Sequence, residues 1–149
     1  MKREAVMLIR KCSSEDYVRI HDLNKYAFGY DYPMEKTKNR LNSILNMPTE
    51  LIAVACIDDE VVGYVHGSDY ECTYADPMKN IMAIAVEEKH RTRGIGKALL
   101  DFIEEDARKD SRAAVRLVSG FNRNEAHEFY QACGYTLRKE QKNFIKFLK

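Results

Sequence analysis

Long apolar runs, clustered cysteines and a strong charge of one sign are all missing from this sequence. No apolar stretch approaches the roughly 20 residues of a membrane span, and "MKREAVMLIRK" has too short an apolar core for a signal peptide. The four cysteines lie far apart without a C-x-x-C pair, which favours reduced thiols over a metal site. A net charge of +1 gives no global attraction to nucleic acid or membranes. We therefore expect a cytoplasmic protein with no metal and with neither nucleic acid nor membrane as a partner.

Glycine and proline are also scarce, with seven and three residues respectively. Hydrophobic residues make up 45% of the chain and charged residues 32%, which excludes disordered and fibrous classes. A chain of 149 residues is long enough to bury a sizeable core. We expect residues 1–149 to form a single domain.

The hydrophobic pattern predicts a mixed α/β sheet with helices on both faces. Period-two or continuous apolar runs predict strands, and apolar residues three or four apart predict helices. Gly94 precedes the clearest helical pattern, and "IMAIAV" (81–86) before it reads as a strand covered on both faces. The order is strand 6–10, helix 13–28, helix from Pro33, strands 50–57, 61–67 and 81–86, helix from 95, strand 113–118, helix 122–134, and strands 135–139 and 143–148.

The segment "KHRTRGIGKALL" (89–100) places a basic, glycine-containing turn between a strand and a helix. The first N–H groups of a helix have no partner within the helix and the dipole there is positive, so this end suits an anion. Gly94 and Gly96 have no Cβ to keep a ligand away from those amides. Arg91, Arg93 and Lys97 add positive charge. The pattern therefore indicates phosphate binding.

Three phosphate-binding motifs can be compared with this turn. A P-loop needs an upstream glycine and a hydroxyl after Lys97, and both are missing. A dinucleotide-binding turn needs a third glycine where Leu99 stands. The pattern [RQ]-x-x-G-x-[GA] is met by residues 91–96, and here the sequence resembles the GCN5-related N-acetyltransferase (GNAT) family.

A second segment, "SGFNRNEAHEFYQACGY" (119–135), strengthens the resemblance. Its spacing is similar to the family's N-x-x-A-x-x-F-Y-x-x-x-G-[FY], matched here at Ala126, 129–130 and 134–135. Arg123 stands where the family has asparagine, with Asn122 and Asn124 beside it. Asn122 is therefore either a pantetheine contact or only the cap of the helix, and whether Asn122 or Arg123 contacts coenzyme A stays open.

The resemblance implies a mostly antiparallel sheet with a splayed strand pair that holds acetyl-CoA. It implies an N-acetyltransferase in which a primary amine, that of a small molecule, attacks the thioester directly. Tyr130 would protonate the leaving thiolate. A non-catalytic acyl-CoA sensor of the same fold is the alternative. The implied coenzyme contacts are Ile84, Ala85, Val86, Arg91, Thr92, Arg93, Gly94, Ile95, Gly96, Lys97, Asn122 and Tyr130.

The acceptor side and the association state are the remaining predictions. For the general base we prefer Glu71 among the acid/base residues of 66–76, which also include His66, Asp69 and Asp76; a water chain is an alternative. Aromatic faces with carboxylates suit a cationic amine. The acceptor candidates are Tyr26, Tyr30, Tyr32, Tyr70 and Tyr74 with Asp31, Asp69, Glu71 and Asp76. The apolar C-terminal strand "NFIKFLK" predicts a covered sheet edge and hence a homodimer.

Overall fold

The computed structural model describes residues 6–149, which divide into two compact units, residues 6–117 and Val118–Lys149. The prediction of a single domain over 1–149 stays a prediction. In chain order the elements are β1 Met7–Lys11, a 3-10 turn Ser14–Asp16, α1 Tyr17–Phe28, α2 Met34–Leu45, β2 Glu50–Ile57, β3 Glu60–Cys72, β4 Ala75–Val86, a 3-10 turn Glu88–His90, α3 Ile95–Lys109, β5 Ala114–Leu117 and α4 Asn124–Ala132.

The first unit is built on one five-stranded sheet in the order β1-β2-β3-β4-β5. The first four strands pair antiparallel, and β5 pairs parallel to β4. This confirms the predicted mixed, mostly antiparallel sheet. Parallel pairing requires a crossover between the two strands, and α3 provides it.

Helices cover both faces of this sheet. On one face, Ile20 and Leu23 of α1 and Leu41 of α2 share a buried cluster with Tyr64 of β3. On the other face, a Cβ added to Gly67 would lie 2.9 Å from Cδ1 of Ile103 in α3. Alternate residues of β3 therefore face α1 and α2 or face α3. The fully buried side chains of the α3 helix are Ile95, Leu99, Leu100 and Ile103.

A capping box begins the 3-10 turn Ser14–Asp16 that leads into α1. The Ser13 hydroxyl accepts from the amide of Glu15, and Asp16 accepts from the amide of Ser13 at 2.8 Å. Arg10 of β1 donates twice to the same carboxylate, at 2.9 and 3.0 Å. Gly29 then ends the helix at φ +74°, a left-handed conformation that favours glycine.

The hairpin of β3 and β4 is longer than the sequence predicted. Residues 68–76, which none of the predicted strands includes, are β-structure except for the two-residue turn between Cys72 and Ala75. Polar side chains in "HGSDYECTYADP" concealed the strand pattern. The far ends of two long strands can expose side chains on both faces, so these residues need not alternate between apolar and polar. Most of the acid/base candidates of 66–76 therefore lie on strands and not on a loop.

The second unit contains α4 and a C-terminal segment. Gly134 ends the helix region at φ +93°, as predicted. The predicted cap at Asn122 is wrong, because Arg123 occupies the N-cap position and no side chain caps the helix. The predicted strands at 135–139 and 143–148 are also absent from the described residues of this unit. Within residues 6–149, no helix is long and apolar enough to span a membrane.

Candidate active site

The turn before α3 has an unusual backbone. Thr92 adopts φ +67° and Gly94 adopts φ +80°, so two left-handed residues lie within three positions. Left-handed residues in a turn can bring successive backbone N–H groups to one side, where they suit an anion. A Cβ at Gly94 would meet no atom within 4 Å, so glycine is needed here for its conformation and its open surface rather than for packing.

The helix that follows supplies further amides to the same place. Its first regular hydrogen bond runs from Ala98 N to Gly94 O at 3.0 Å. The amides of Ile95 and Gly96 precede that bond, where a helix has no internal acceptor to offer. Ile95 is buried and anchors the turn to the core. The positive end of the α3 dipole thus faces the turn.

The basic side chains around the turn are exposed and partly organised. Arg91 donates from Nε to the carbonyl of Val86 at 3.2 Å, which ties the turn to the end of β4. Lys97 lies 3.0 Å from Asp101 on the helix surface. Thr92 and Arg93 are also exposed. The sequence prediction that residues 91–97 form a basic helix start is confirmed; their ligand remains a prediction.

Strand β4 leaves β5 halfway along its length. Residues 78–81 pair with 114–117 of β5, and the described residues give 82–86 no strand partner on that side. On its other side β4 stays paired to β3 as far as Val86. The backbone of Ile84, Ala85 and Val86 is therefore paired with a strand on the β3 side only, and it leads directly to the basic turn. This is the predicted splayed strand pair.

An irregularity in β4 lies at the point of the splay. His66 of β3 is opposite Ala83 and Gly67 is opposite Ile81, so Met82 is an additional residue in β4. Bulges of this kind redirect side chains and are common beside active sites. The shift puts Asn80, opposite Ser68, on the face of the sheet covered by α1 and α2.

A polar cluster occupies that face next to the splay. Glu50 lies 3.0 Å from Nε2 of His66 and accepts from the Ser68 hydroxyl at 2.6 Å. Burial opposes the charge of Glu50, but hydrogen bonds from Ser68, Thr49 and His66 hold its pKa below the ordinary value. The cluster therefore contains a fixed carboxylate beside an imidazole.

Aromatic and basic groups extend the cluster toward β5. Arg116 donates to Asn80 at 2.6 Å and stacks over the Tyr70 ring at 4.3 Å. Tyr26, Tyr30, Tyr32 and Tyr74, the other tyrosines of the predicted acceptor set, are all exposed, Tyr26 and Tyr74 by 81% and 82%. Tyr70 contacts the strand cluster directly, and Tyr74 interacts with Tyr70.

Glu71, the predicted base, lies elsewhere. It accepts from Arg112 at 2.6 Å, and Arg112 also contacts Asp69 at 2.9 Å. Asp69 further binds buried Lys79, which reaches Asp106 of α3. Glu71 and Asp69 thus belong to an ion-pair network on the α3 face, whereas His66 lies on the opposite face. This placement disfavours Glu71 and favours His66.

Tyr130 and Asn122 belong to the second unit. Tyr130 is 8% exposed, and its ring packs on Phe129 and Tyr135 with centroids 5.4 and 6.3 Å away. Burial raises the pKa of its hydroxyl, and the positive charge of Arg123 opposes that rise. Asn122 is exposed. A phenol in this setting stays protonated at neutral pH.

Sequence reasoning missed Glu50, Ser68 and Arg116. Glu50 opens a strong apolar strand, and Arg116 interrupts "AAVRLV" at a position where the pattern predicts an apolar side chain. A charged residue within an otherwise buried strand was the available signal. This signal identifies a shared site only once the register of β2, β3 and β4 shows that these positions lie on one face.

Comparison with known proteins identifies the family to which this chain belongs and the solved structures that share its fold. Residues 48–137 match the family described as acetyltransferase (GNAT) domain. An uncharacterised N-acetyltransferase of Methanocaldococcus jannaschii is 34% identical over 99 residues, which are 66% of this chain and 57% of that protein. This chain thus spans little more than half of that relative's length.

Two solved structures share the fold at low identity. The aminoglycoside N-acetyltransferase AAC(6')-Iy in complex with CoA superimposes with a TM-score of 0.88 at 17% identity, covering 98% of both chains. The aminoglycoside 6'-N-acetyltransferase AAC(6')-Ih of Acinetobacter baumannii gives 0.84 at 17% identity, covering 97% of this chain and 100% of that one. At such identities the similarity concerns the fold alone.

Proposed function

Because this chain belongs to the GNAT acetyltransferase family, we propose that it transfers the acetyl group of acetyl-CoA to a primary amine of a small molecule. The observation that carries the proposal is the unpaired edge of β4 at 82–86, which runs into the basic turn before α3. A peptide-like pantetheine arm needs an extended backbone partner, and a pyrophosphate needs an anion site at its end. The edge of β4 at 82–86 meets the first requirement, and the basic turn that follows it meets the second.

The coenzyme contacts follow from that arrangement. Amides of Ile95 and Gly96 bind pyrophosphate oxygens, with Arg91 and Arg93 neutralising their charge. Backbone groups of 84–86 pair with the amides of the pantetheine arm, in the manner of an added strand. Gly94, Thr92 and Lys97 shape and charge the same turn. The thioester then lies toward the bulge at Met82, where β4 and β5 part.

The reaction needs three proton transfers. The amine nitrogen attacks the thioester carbonyl carbon, the carbon–sulfur bond breaks, and the departing thiolate takes a proton from Tyr130. The extra proton on the attacking nitrogen then leaves and restores the Tyr130 hydroxyl. A backbone N–H of the free β4 edge stabilises the tetrahedral oxyanion. Because amines are mostly charged at neutral pH, a base must also remove a proton from the acceptor before attack.

We assign that base to His66 with Glu50 as its partner. His66 lies opposite Ala83, beside the bulge at which the thioester is expected. The Glu50 carboxylate fixes one ring nitrogen at 3.0 Å and attracts a cationic amine. Glu71 is the poorer candidate, since Arg112 holds it on the other face.

The acceptor class is supported by charge and by the neighbours' chemistry. Glu50 provides negative charge on the α1/α2 face, and Tyr70 adds an aromatic surface suited to a cation. The solved neighbours described above are aminoglycoside acetyltransferases, which act on amines of small molecules. A small polyvalent amine is the acceptor most consistent with both.

Calorimetric titration tests the coenzyme half of this proposal. Acetyl-CoA and CoA are expected to bind in the micromolar to submillimolar range, whereas NAD and ATP are not. Thiol release that depends on an added primary amine tests the transfer half. If neither acetyl-CoA nor CoA binds, the proposal fails; if they bind but no amine releases thiol, the acyl-CoA sensor takes its place.

A further inference from the structure

A row of polar side chains crosses four strands on the face of the sheet covered by α1 and α2. The register places Glu50 of β2 opposite Ser68 of β3, and Ser68 opposite Asn80 of β4. Asn80 in turn lies opposite Arg116 of β5. Side chains directly opposite on neighbouring strands are close enough to interact, so the row is continuous. It begins at a carboxylate and ends at a guanidinium, and its two ends therefore carry opposite charges.

The guanidinium of Arg116 has no counter-charge within its own unit. The side chain is half-buried, yet it forms no ion pair with a carboxylate of residues 6–117. Arg112, by comparison, contacts three carboxylates. Arginine has five N–H donors, and the contacts of Arg116 within this unit use one of them, from Nη1 to Oδ1 of Asn80 at 2.6 Å. A partly desolvated cation with unused donors is suited to an anionic ligand.

Two contacts hold this guanidinium in one orientation. Its central carbon lies over the Tyr70 ring, 4.3 Å from the centroid, and Asn80 accepts from one edge. A guanidinium that stacks by its face keeps all its N–H groups in its own plane. The edge that Asn80 does not occupy can donate two parallel hydrogen bonds to a carboxylate or a phosphoryl group. Arg116 is therefore preorganised for an anion.

The row also sets a spacing between this anion site and the base. His66 lies two residues from Ser68 on the same face of β3, and Asn80 lies one strand further. With about 3.3 Å per residue and about 4.8 Å between strands, His66 and Asn80 are separated by roughly 8 Å. A single molecule can present its amine to His66 and an anion to Arg116 only if several carbon atoms separate the two groups.

We propose that Arg116 binds an anionic group of the acceptor. The acceptor is then a small amine with a carboxylate or phosphoryl group several carbon atoms from the nitrogen that is acetylated. This inference rests on the proposed function, because His66 defines where the amine lies. Glu50 and Tyr70 alone suit any small cationic amine, including one with several amino groups, and Arg116 restricts that class to amines with an anionic end. Asn80 is a positioning residue, since it acts by orienting the guanidinium.

Matched pairs of amines test this preference. ε-Aminocaproate and pentylamine differ only in the carboxylate, and lysine and cadaverine differ in the same way. In assays of amine-dependent thiol release, kcat/KM should be at least tenfold higher for the carboxylate-bearing member of each pair. Glycine, whose amine and carboxylate are adjacent, should be a poor acceptor. Aminopentylphosphonate extends the series and shows which of the two anions the site prefers. Equal kcat/KM within both pairs would overturn the inference while leaving acetyl transfer intact.

Variants of Arg116 test whether this residue causes the preference. Arg116→Gln should lower kcat/KM for ε-aminocaproate at least tenfold but should not lower it for pentylamine, whose unchanged rate shows that the fold and the chemistry are intact. Arg116→Lys keeps the charge without the planar pair of donors, so it should retain only part of the preference. Arg108→Gln is the matched control on the surface of α3, where the side chain is 69% exposed, and both rates should match the wild type.

Asn80→Asp tests the same site without changing Arg116. The substitution keeps the size of the side chain and places a carboxylate where Asn80 now accepts from the guanidinium at 2.6 Å. Because that carboxylate supplies the missing counter-charge, the ratio of kcat/KM for ε-aminocaproate over pentylamine should fall at least tenfold. A ratio that stays at the wild-type value in both Asn80→Asp and Arg116→Gln would refute the role of Arg116.

Calorimetric titration of the CoA-loaded protein with ε-aminocaproate gives a readout that needs no turnover. Arg116→Gln should bind this amine at least tenfold more weakly than the wild type does. Equal affinity would remove Arg116 from the acceptor site and defeat this inference alone. If acetyl-CoA binds and no member of either pair releases thiol, the proposed acetyl transfer fails, and the inference that rests on it fails as well.

Discussion

Glu50 of β2 and His66 of β3 are diagonal neighbours on the α1/α2 face of the sheet, with Oε1 of the glutamate 3.0 Å from Nε2 of the histidine. Along each strand the neighbouring position on this face is an apolar core residue, Ile52 in β2 and Tyr64 in β3. The α1/α2 face of the sheet therefore changes from apolar to ionisable at the level where β4 and β5 part. An imidazole held by a carboxylate at that level is suited to accept a proton from an amine.

Glu50→Gln should lower kcat/KM for the amine at least tenfold, because a neutral amide neither attracts a cation nor supports a protonated imidazole. General acid–base groups contribute about 10²–10⁴-fold, so His66→Gln should cost at least as much. The double variant should be little worse than His66→Gln, since the two residues act as one unit. Steady-state kinetics across a pH series measures all three.

The control for this series is Glu60→Gln, which removes an exposed glutamate from the β2–β3 hairpin. Its kinetics should match the wild type, and acetyl-CoA affinity should be the same in every variant. If His66→Gln keeps full activity, His66 is not the base, and a water chain is then the better candidate.

Gly94→Val should weaken acetyl-CoA binding at least tenfold. Valine is strained at φ +80°, and its branched side chain covers the amides at the start of α3. Gly29→Val is the matched control, since Gly29 has φ +74° and equally open surroundings at the end of α1. Both variants should lose about 1–3 kcal/mol of stability, but only Gly94→Val should lose affinity in calorimetric titration. Equal affinity in the two variants would remove the turn from the coenzyme site.

Tyr130→Phe should lower kcat at least tenfold while acetyl-CoA affinity and Tm change little. The ring and its packing on Phe129 and Tyr135 are retained, and only the proton donor is lost. A purely structural tyrosine gives the reverse pattern: stability falls by about 1–3 kcal/mol for an abandoned buried partner, and the rate per folded molecule survives. Measuring kcat and Tm on one preparation separates the two.

Asp16→Asn should destabilise the protein at neutral pH and much less in acid. Burial opposes the charge, yet hydrogen bonds from Arg10 and Ser13 hold the pKa of Asp16 below its ordinary 3.8. A carboxylate with a lowered folded pKa stabilises above its unfolded pKa, and that contribution is lost as pH falls through the folded value. Urea unfolding should show a loss of about 1–3 kcal/mol at pH 7 that shrinks below about pH 4. Asp31→Asn, in the exposed loop after α1, is the control and should change the free energy of unfolding little.

The sequence predicts best where local chemistry decides the structure. Two helix starts illustrate this. Helical structure begins directly after Ser13, and α3 begins directly after Gly94 with the apolar stripe that the sequence shows. The length of the β3–β4 hairpin was not predictable, because Lys79 is buried through long-range contacts with Asp69 and Asp106. The C-terminal strands fail for a related reason: "NFIKFL" has the composition of a strand, but a strand needs a partner edge, which composition does not specify.

The candidate site likewise has one part that local sequence predicts and one part that only the fold brings together. The coenzyme turn is a contiguous motif and could be found by inspection. The pair of Glu50 and His66 is separated by 16 residues and is formed only by the register of β2 against β3. Glu71 was preferred because it lies in an acidic stretch, yet strand alternation turns it to the α3 face, where Arg112 holds it.

Amine-dependent release of the CoA thiol tests the central claim most directly. The full chain is incubated with acetyl-CoA and, in turn, aminoglycosides, polyamines, free amino acids and a peptide with a free N-terminus, and product masses are recorded. We expect thiol release well above the amine-free rate with at least one small cationic amine, whose mass rises by one acetyl group. Tight acetyl-CoA binding with thiol release no faster than the amine-free rate across the whole panel would contradict acetyl transfer to a small amine.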